Sequence, residues 1–173
     1  MVDEASTGSH KIYFANPASQ TNKQTFLRII NKDDAMGTVT ISAIDDDGNI
    51  APNGDVTFIL NPLAAKQMVA SDLEYGNLNK GLNGYLGSGN GRWQLTVTSS
   101  LDLEVMSLVR TPDGFLTNLS RTAPVSAGVN EVFIFNPASN TNQRSSLRIV
   151  NTSSQQGSVT IQGLMTQVLL VAM

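Results

Sequence analysis

Two short stretches, residues 16–22 (NPASQTN) and 136–142 (NPASNTN), are nearly the same, and the match continues beyond them. Displaced by 120 positions, residues 12–43 align without a gap on residues 132–163. Identical pairs include Asn16/Asn136, Pro17/Pro137, Leu27/Leu147, Arg28/Arg148, Ile29/Ile149, Asn31/Asn151, Gly37/Gly157, Val39/Val159, Thr40/Thr160 and Ile41/Ile161. A spacing of 120 is too long for solenoid or propeller units and suits a whole domain of β-sandwich size. The expected organisation is an N-terminal arm over residues 1–9, a complete module over 10–125, and the opening strands of a truncated second copy over 126–173.

Within the module the apolar period is two, with Gly, Pro, Asn and Asp as punctuation, which predicts short strands. In TFLRII, Leu27 and Ile29 share one face; in TVTISAI, Val39, Ile41 and Ala43 do; in RWQLTVTS, Trp93, Leu95 and Val97 point inward. LEVMSLVR continues the alternation, and the SSLD between these last two runs predicts a hairpin. Further strands are expected near 11–15, 55–60, 66–69 and 115–119. SDLEYG predicts one helical turn with Ser71 as cap, Glu74 closing a capping box and Gly76 ending it. Short strands, one inward Trp and no long helix predict an all-β fold, an immunoglobulin-like antiparallel β-sandwich with an additional partial repeat.

Charged residues are 14% of the chain and the net charge is −3, so no broad basic surface exists to neutralise phosphates, and nucleic acid is not an expected partner. Cysteine is absent, which removes disulfides, thiolate nucleophiles and Cys-ligated zinc. The opening MVDEASTGSH has neither a basic nor an apolar region, so no export signal is read there. The apolar stretch LMTQVLLVAM is about half the length of a membrane-spanning helix, and no membrane anchor is expected.

Candidate sites are few. Aligned on Gly48, the run IDDDGNIAPNGD places Asp45 and Asp47 at the third and fifth positions of an EF-hand loop, but Ala43 and Gly54 stand where the first and last ligands belong. The run reads either as a solvated turn or as a calcium site built from Asp45, Asp47 and Asp55. No other cofactor is expected. GLNGYLGSGNGRW has alternate glycines at 87, 89 and 91, yet a strand rather than a helix follows, so it is read as a loop and not a phosphate cradle. Tyr75 and Tyr85 lie in loops, where they either cover the end of the sandwich or stack on a glycan. The NPASxTN segments suit self-bonded connecting loops. His10 is the single histidine and lies in the N-terminal arm, and no spacing singles out a catalytic pair among Asp72, Glu74, Asp102, Glu104 and Asp113. The chain is therefore read as non-enzymatic.

The runs YFANPASQTNKQTFLRIINKDDAMGTVTISAIDDDGN and DLEYGNLNKGLNGYLGSGNGRWQLTVTSSLDLEVMSLVRTPDGFLTNLS resemble tandem β-rich modules of large exported or surface proteins of marine and other Gram-negative bacteria. The resemblance implies an accessory module that spaces, attaches or presents other parts, in a secreted or cell-surface setting, and it carries no catalytic residues with it. A fragment of a longer reading frame, or a gene captured onto a mobile element, would account for the absence of a signal and for the broken repeat.

The second copy also sets a physical problem. Few strands cannot bury their own faces, and Val159, Ile161, Met165, Val168, Leu169, Leu170 and Val171 form an apolar series there. Unpaired strands of that composition associate edge to edge. They pack either on the first module or on a second chain, and a homodimer through residues 126–173 is the expectation.

Overall fold

The computed structural model describes residues 8–114, the backbone of 116–118, and residues 135–136, 139 and 147–163. The chain divides into two compact units, Met1–Gly128 and Val129–Met173.

The first unit is all-β with almost no helix. Its strands are β1 (Ser9–Ala15), β2 (Gln24–Asn31), β3 (Gly37–Ile44), β4 (Val56–Leu60), β5 (Ala65–Val69), β6 (Trp93–Ser99), β7 (Leu103–Arg110) and β8 (Leu116–Asn118), with α1 (Ala70–Tyr75) and a 3₁₀ turn (Leu78–Lys80) between β5 and β6. They form two antiparallel sheets, in the orders β1-β6-β3-β4 and β5-β2-β7-β8. No described helix is long and apolar enough to cross a membrane.

The alternation read from the sequence determines which side chains go inside. Leu27 and Ile29 of β2, Val39 and Ile41 of β3, and Trp93, Leu95 and Val97 of β6 are buried, while Phe26, Arg28, Thr40 and Gln94 on the opposite faces are not. The inward residues of both sheets join one core with Val56, Phe58, Leu60 and Met68. Burying each such side chain stabilises the fold by about 1.5–3 kcal/mol.

Two expectations are corrected, and the strand order is specific. An immunoglobulin constant-type arrangement keeps its first two strands side by side; here β1 and β2 lie in different sheets. Nor do β6 and β7 form a hairpin, because the SSLD segment carries the chain from one sheet to the other. Leu101 turns into the core there, Ser99 Oγ donates to the Thr38 carbonyl (2.8 Å) and accepts from Leu101 N–H (3.2 Å). This arch stacks on the one joining β2 to β3: Lys32 N–H donates to the Asp102 carbonyl (2.9 Å), Asp102 N–H to Asp33 Oδ2 (2.7 Å), and the Lys32 and Asp102 side chains pair at 2.9 Å. Gly37 is required in that stack, since a Cβ there would stand 2.8 Å from Leu101 Cγ. Finally, His10 belongs to β1, opposite Val97, and not to a loose arm.

β1, β2 and β3 do not pair with one another. β1 pairs with β6, β2 with β5 and β7, and β3 with β4 and β6. The sequence counterpart of this segment lies in the second unit, where residues 147–163 contain no strand. The topology supplies the reason: every ladder partner of β1, β2 and β3 comes from β4 to β7, outside the repeated stretch. One local feature survives. Asn31 Nδ2 donates to the Ala35 carbonyl (2.7 Å) and its Oδ1 accepts from Asp33 N–H (2.9 Å); Asn151 Nδ2 donates likewise to Gln155 (2.8 Å) and its Oδ1 accepts from Ser153 N–H (2.9 Å).

Candidate functional site

The polar chemistry of the first unit is concentrated in its loops, on three buried carboxyl groups. Asp45 ends the run out of β3, where the Asp-x-x-Gly turn closes with Gly48 N–H on the Asp45 carbonyl (3.1 Å) and Gly48 at φ 83°. An aspartate opening such a turn folds its carboxylate back onto the next amides. Asp45 Oδ1 accepts from Asp47 N–H (3.0 Å) and Asn49 N–H (2.9 Å), and its Oδ2 from Asn90 N–H (3.0 Å). The neighbouring carboxylates reach the same distant loop. Asp46 Oδ2 accepts from Arg92 N–H (2.9 Å) and Asp47 Oδ2 from Asn90 Nδ2 (2.5 Å).

Asp72 and Glu74 hold the α1 region. Asp72, not Ser71, satisfies the helix start: its Oδ2 accepts from Val69 N–H (2.8 Å) and from Lys80 Nζ (2.5 Å), and its Oδ1 from Asn77 Nδ2 (2.6 Å). Ser71 is exposed. Glu74 turns inward instead of back to the cap. Its Oε1 accepts from Trp93 Nε1 (2.7 Å) and from Ala18 N–H (3.1 Å), tying the NPASQTN loop to β6 through the helix. Within that loop Gln20 N–H donates to the Pro17 carbonyl (3.0 Å), and Asn16 N–H donates to Thr25 Oγ1 of β2 (2.8 Å).

Burial pushes the Asp45 carboxyl up, but the amides of Asn90, Asn49 and Asp47 outweigh it and hold the group below its usual 3.8. Burial also pushes Asp72 up, and Lys80, Val69 N–H and Asn77 bring it below 3.8. Both groups thus bind protons less readily folded than unfolded. Their contribution is complete above pH 3.8 and is lost as pH falls through their lowered values. Burial shifts His10 below its usual 6.5, against the raising effect of Asp102, so protonating it adds a loss that begins below pH 6.5. Asp45→Ala should lower stability by about 2 kcal/mol, limited because Asn49 and Asn90 are exposed and water can replace the carboxylate. Thermal melts between neutral and acid pH check both points: the variant's melting temperature should fall less steeply below pH 3.8 than that of the parent.

Of the expected calcium ligands, Asp45 and Asp47 meet around Asn90, whereas Asp55 is exposed and its carbonyl lies against Gly84. Among the described residues, no three His, Asp or Glu side chains are grouped to share a metal. Both Asp45 oxygens already accept from amides. Tyr75 and Tyr85 are 63% and 46% exposed, and Gly76, next to Tyr75, packs where a Cβ would lie 3.5 Å from Tyr85 Cβ. The two tyrosines therefore flank one loop crossing.

Of the expected interface residues, Val159 and Ile161 are 64% and 69% exposed; Met165, Val168, Leu169, Leu170 and Val171 lie outside the described residues. Leu147 and Ile149 add to this apolar exposure at 48% and 52%. Their counterparts in the first unit, Leu27, Ile29, Val39 and Ile41, are buried to 1% or less.

No family model matches the chain, and no curated protein matches it. Among solved structures, the Anabaena sensory rhodopsin transducer is similar at a TM-score of 0.43 and 14% identity, over 59% of this chain and 95% of that one.

Proposed function

We propose that the chain is a non-catalytic structural or interaction module of extracellular or surface type, an immunoglobulin-like β-sandwich in layering though not in strand order. It associates with a second copy through the partial repeat in residues 126–173. The observation that carries this reading is the exposure of Leu147, Ile149, Val159 and Ile161, which are identical to four core residues of the first unit. Side chains selected by sequence for a core, left in water, are a protein-binding surface. Asp45, Asp72 and Glu74 fit the same reading, because each accepts from donors of neighbouring segments and so braces the scaffold. Light scattering at micromolar concentration should give the mass of two chains, and a single-chain mass overturns the reading.

A second reading, a glycan-binding module, is favoured by the exposure of Tyr75 and Tyr85 beside the Gly76–Gly84 crossing. A glycan array tests it. Binding that is lost in Tyr75→Ala and Tyr85→Ala supports it, and an array without signal removes it.

A further inference from the structure

The two sheets present unlike outer faces. Across the first, the register places Ser9, Thr98, Thr40 and Thr57 side by side, one hydroxyl from every strand. That is the polar exterior usual for an antiparallel sheet packed on one side. Across the second, a row of Val69, Phe26 and Leu108 runs over three strands, and the next two rows add Met106 and Ile30. These five side chains are half-buried and alternate with the core residues Leu27, Ile29 and Met68, so they face outward. β2 and β7 are thus apolar on both faces, the composition of strands covered from both sides. Strand propensity does not account for the difference, since both sheets are antiparallel and belong to one sandwich.

Two charges sit in the middle of the apolar face. Arg28 pairs in register with Gln67 and Met106, and Glu104 with Ile30, so the two are diagonal neighbours on β2 and β7. The ion pairs among the described residues, Lys32–Asp102 and Lys80–Asp72, include neither. We infer that this outer face docks on the same face of a second copy of the chain. The occupant is a second copy because the face complements itself: in a two-fold contact, residue i meets residue j and j meets i. Laying β2 of one protomer along β7 of its partner sets Phe26 on the partner's Leu108 and puts Arg28 one residue pair from the partner's Glu104, within reach of two long side chains. Symmetry makes each contact twice. Any other protein would need an apolar face with a carboxylate and a guanidinium placed the same way. The surface is separate from the partial repeat, and the inference does not depend on that reading. One small sheet face belongs among the weak interfaces, so the contact forms above the micromolar range.

The full chain carrying Val159→Asp with Ile161→Asp is the background for the test; these residues are 64% and 69% exposed, so the first unit keeps its fold while association through the partial repeat is removed. Sedimentation over rising concentration should take this background from one chain to two. Adding Arg28→Glu or Glu104→Arg brings like charges together twice and should weaken the dimer about tenfold, with Trp93 emission unchanged as the check on folding. An equimolar mixture of these two variants should regain the background's affinity, because each meets the opposite charge on the other. A loss of stability within either chain cannot produce that recovery. The inference is overturned if the background stays a single chain, if either charge variant associates as the background does, or if the mixture is no stronger than its components. The reading of the partial repeat is judged separately, by whether Val159→Asp with Ile161→Asp lowers the mass of the parent at micromolar concentration.

Discussion

Glu74→Ala should destabilise the first unit by about 3–4 kcal/mol, a large fraction of the stability of a domain this size. The cost comes from what is left behind. Trp93 Nε1 and Ala18 N–H both donate to Glu74 Oε1; Trp93 and Glu74 are 2% and 3% exposed, so water cannot replace the acceptor of the indole, whereas Ala18 is half-buried. A buried donor without an acceptor loses its whole solvation, about 1–3 kcal/mol each. Glu74→Gln supplies the control, since its amide oxygen can accept from both donors, and it should recover most of the loss. Urea unfolding followed by Trp93 emission measures both variants, and the only tryptophan in the chain reports directly on the bond in question. Equal losses in the two variants would show that charge, not acceptor geometry, matters at this position.

Truncating equivalent isoleucines should produce very unequal effects. Ile41 is 0% exposed between β4 and β6, and Ile41→Ala should cost about 3 kcal/mol through lost transfer energy and the cavity left behind. Ile161, its counterpart, is 69% exposed, and Ile161→Ala should change the unfolding free energy of the first unit by less than about 0.5 kcal/mol. Denaturation at low protein concentration isolates that intramolecular comparison. Similar costs at both positions would mean that the second segment is as well buried as the first.

The strands were legible because alternation at Leu27/Ile29, Val39/Ile41 and Trp93/Leu95/Val97 depends only on one face being buried. Which sheet a strand joins was not. Period two is identical whether the chain after Ser99 folds back beside itself or crosses to the other layer, and the deciding contacts, Leu101 on Gly37 and Asp102 on Asp33, come from far upstream in the sequence. The same limit applied to the loops. DDDGN reads as a turn from its residues alone, but its bonds to Asn90 and Arg92 span more than forty positions and appear only in the fold. From its neighbours alone Glu74 reads as part of a capping box, a local role, while its partners Trp93 and Ala18 lie beyond local reach.

The pairing scheme also dictates what a ribosome must wait for. When β1, β2 and β3 have emerged, none has a ladder to join; β3 with β4 is the first pair able to close, once Leu60 is out. β2 gains one neighbour at β5 and its second only with β7, and β1 gains its neighbour at β6. Growth of the nascent polypeptide therefore lets β3 and β2 find partners by Val69 but leaves β1, the first strand made, unpaired until β6 at Trp93–Ser99, a non-local order that slows folding and invites chaperone binding.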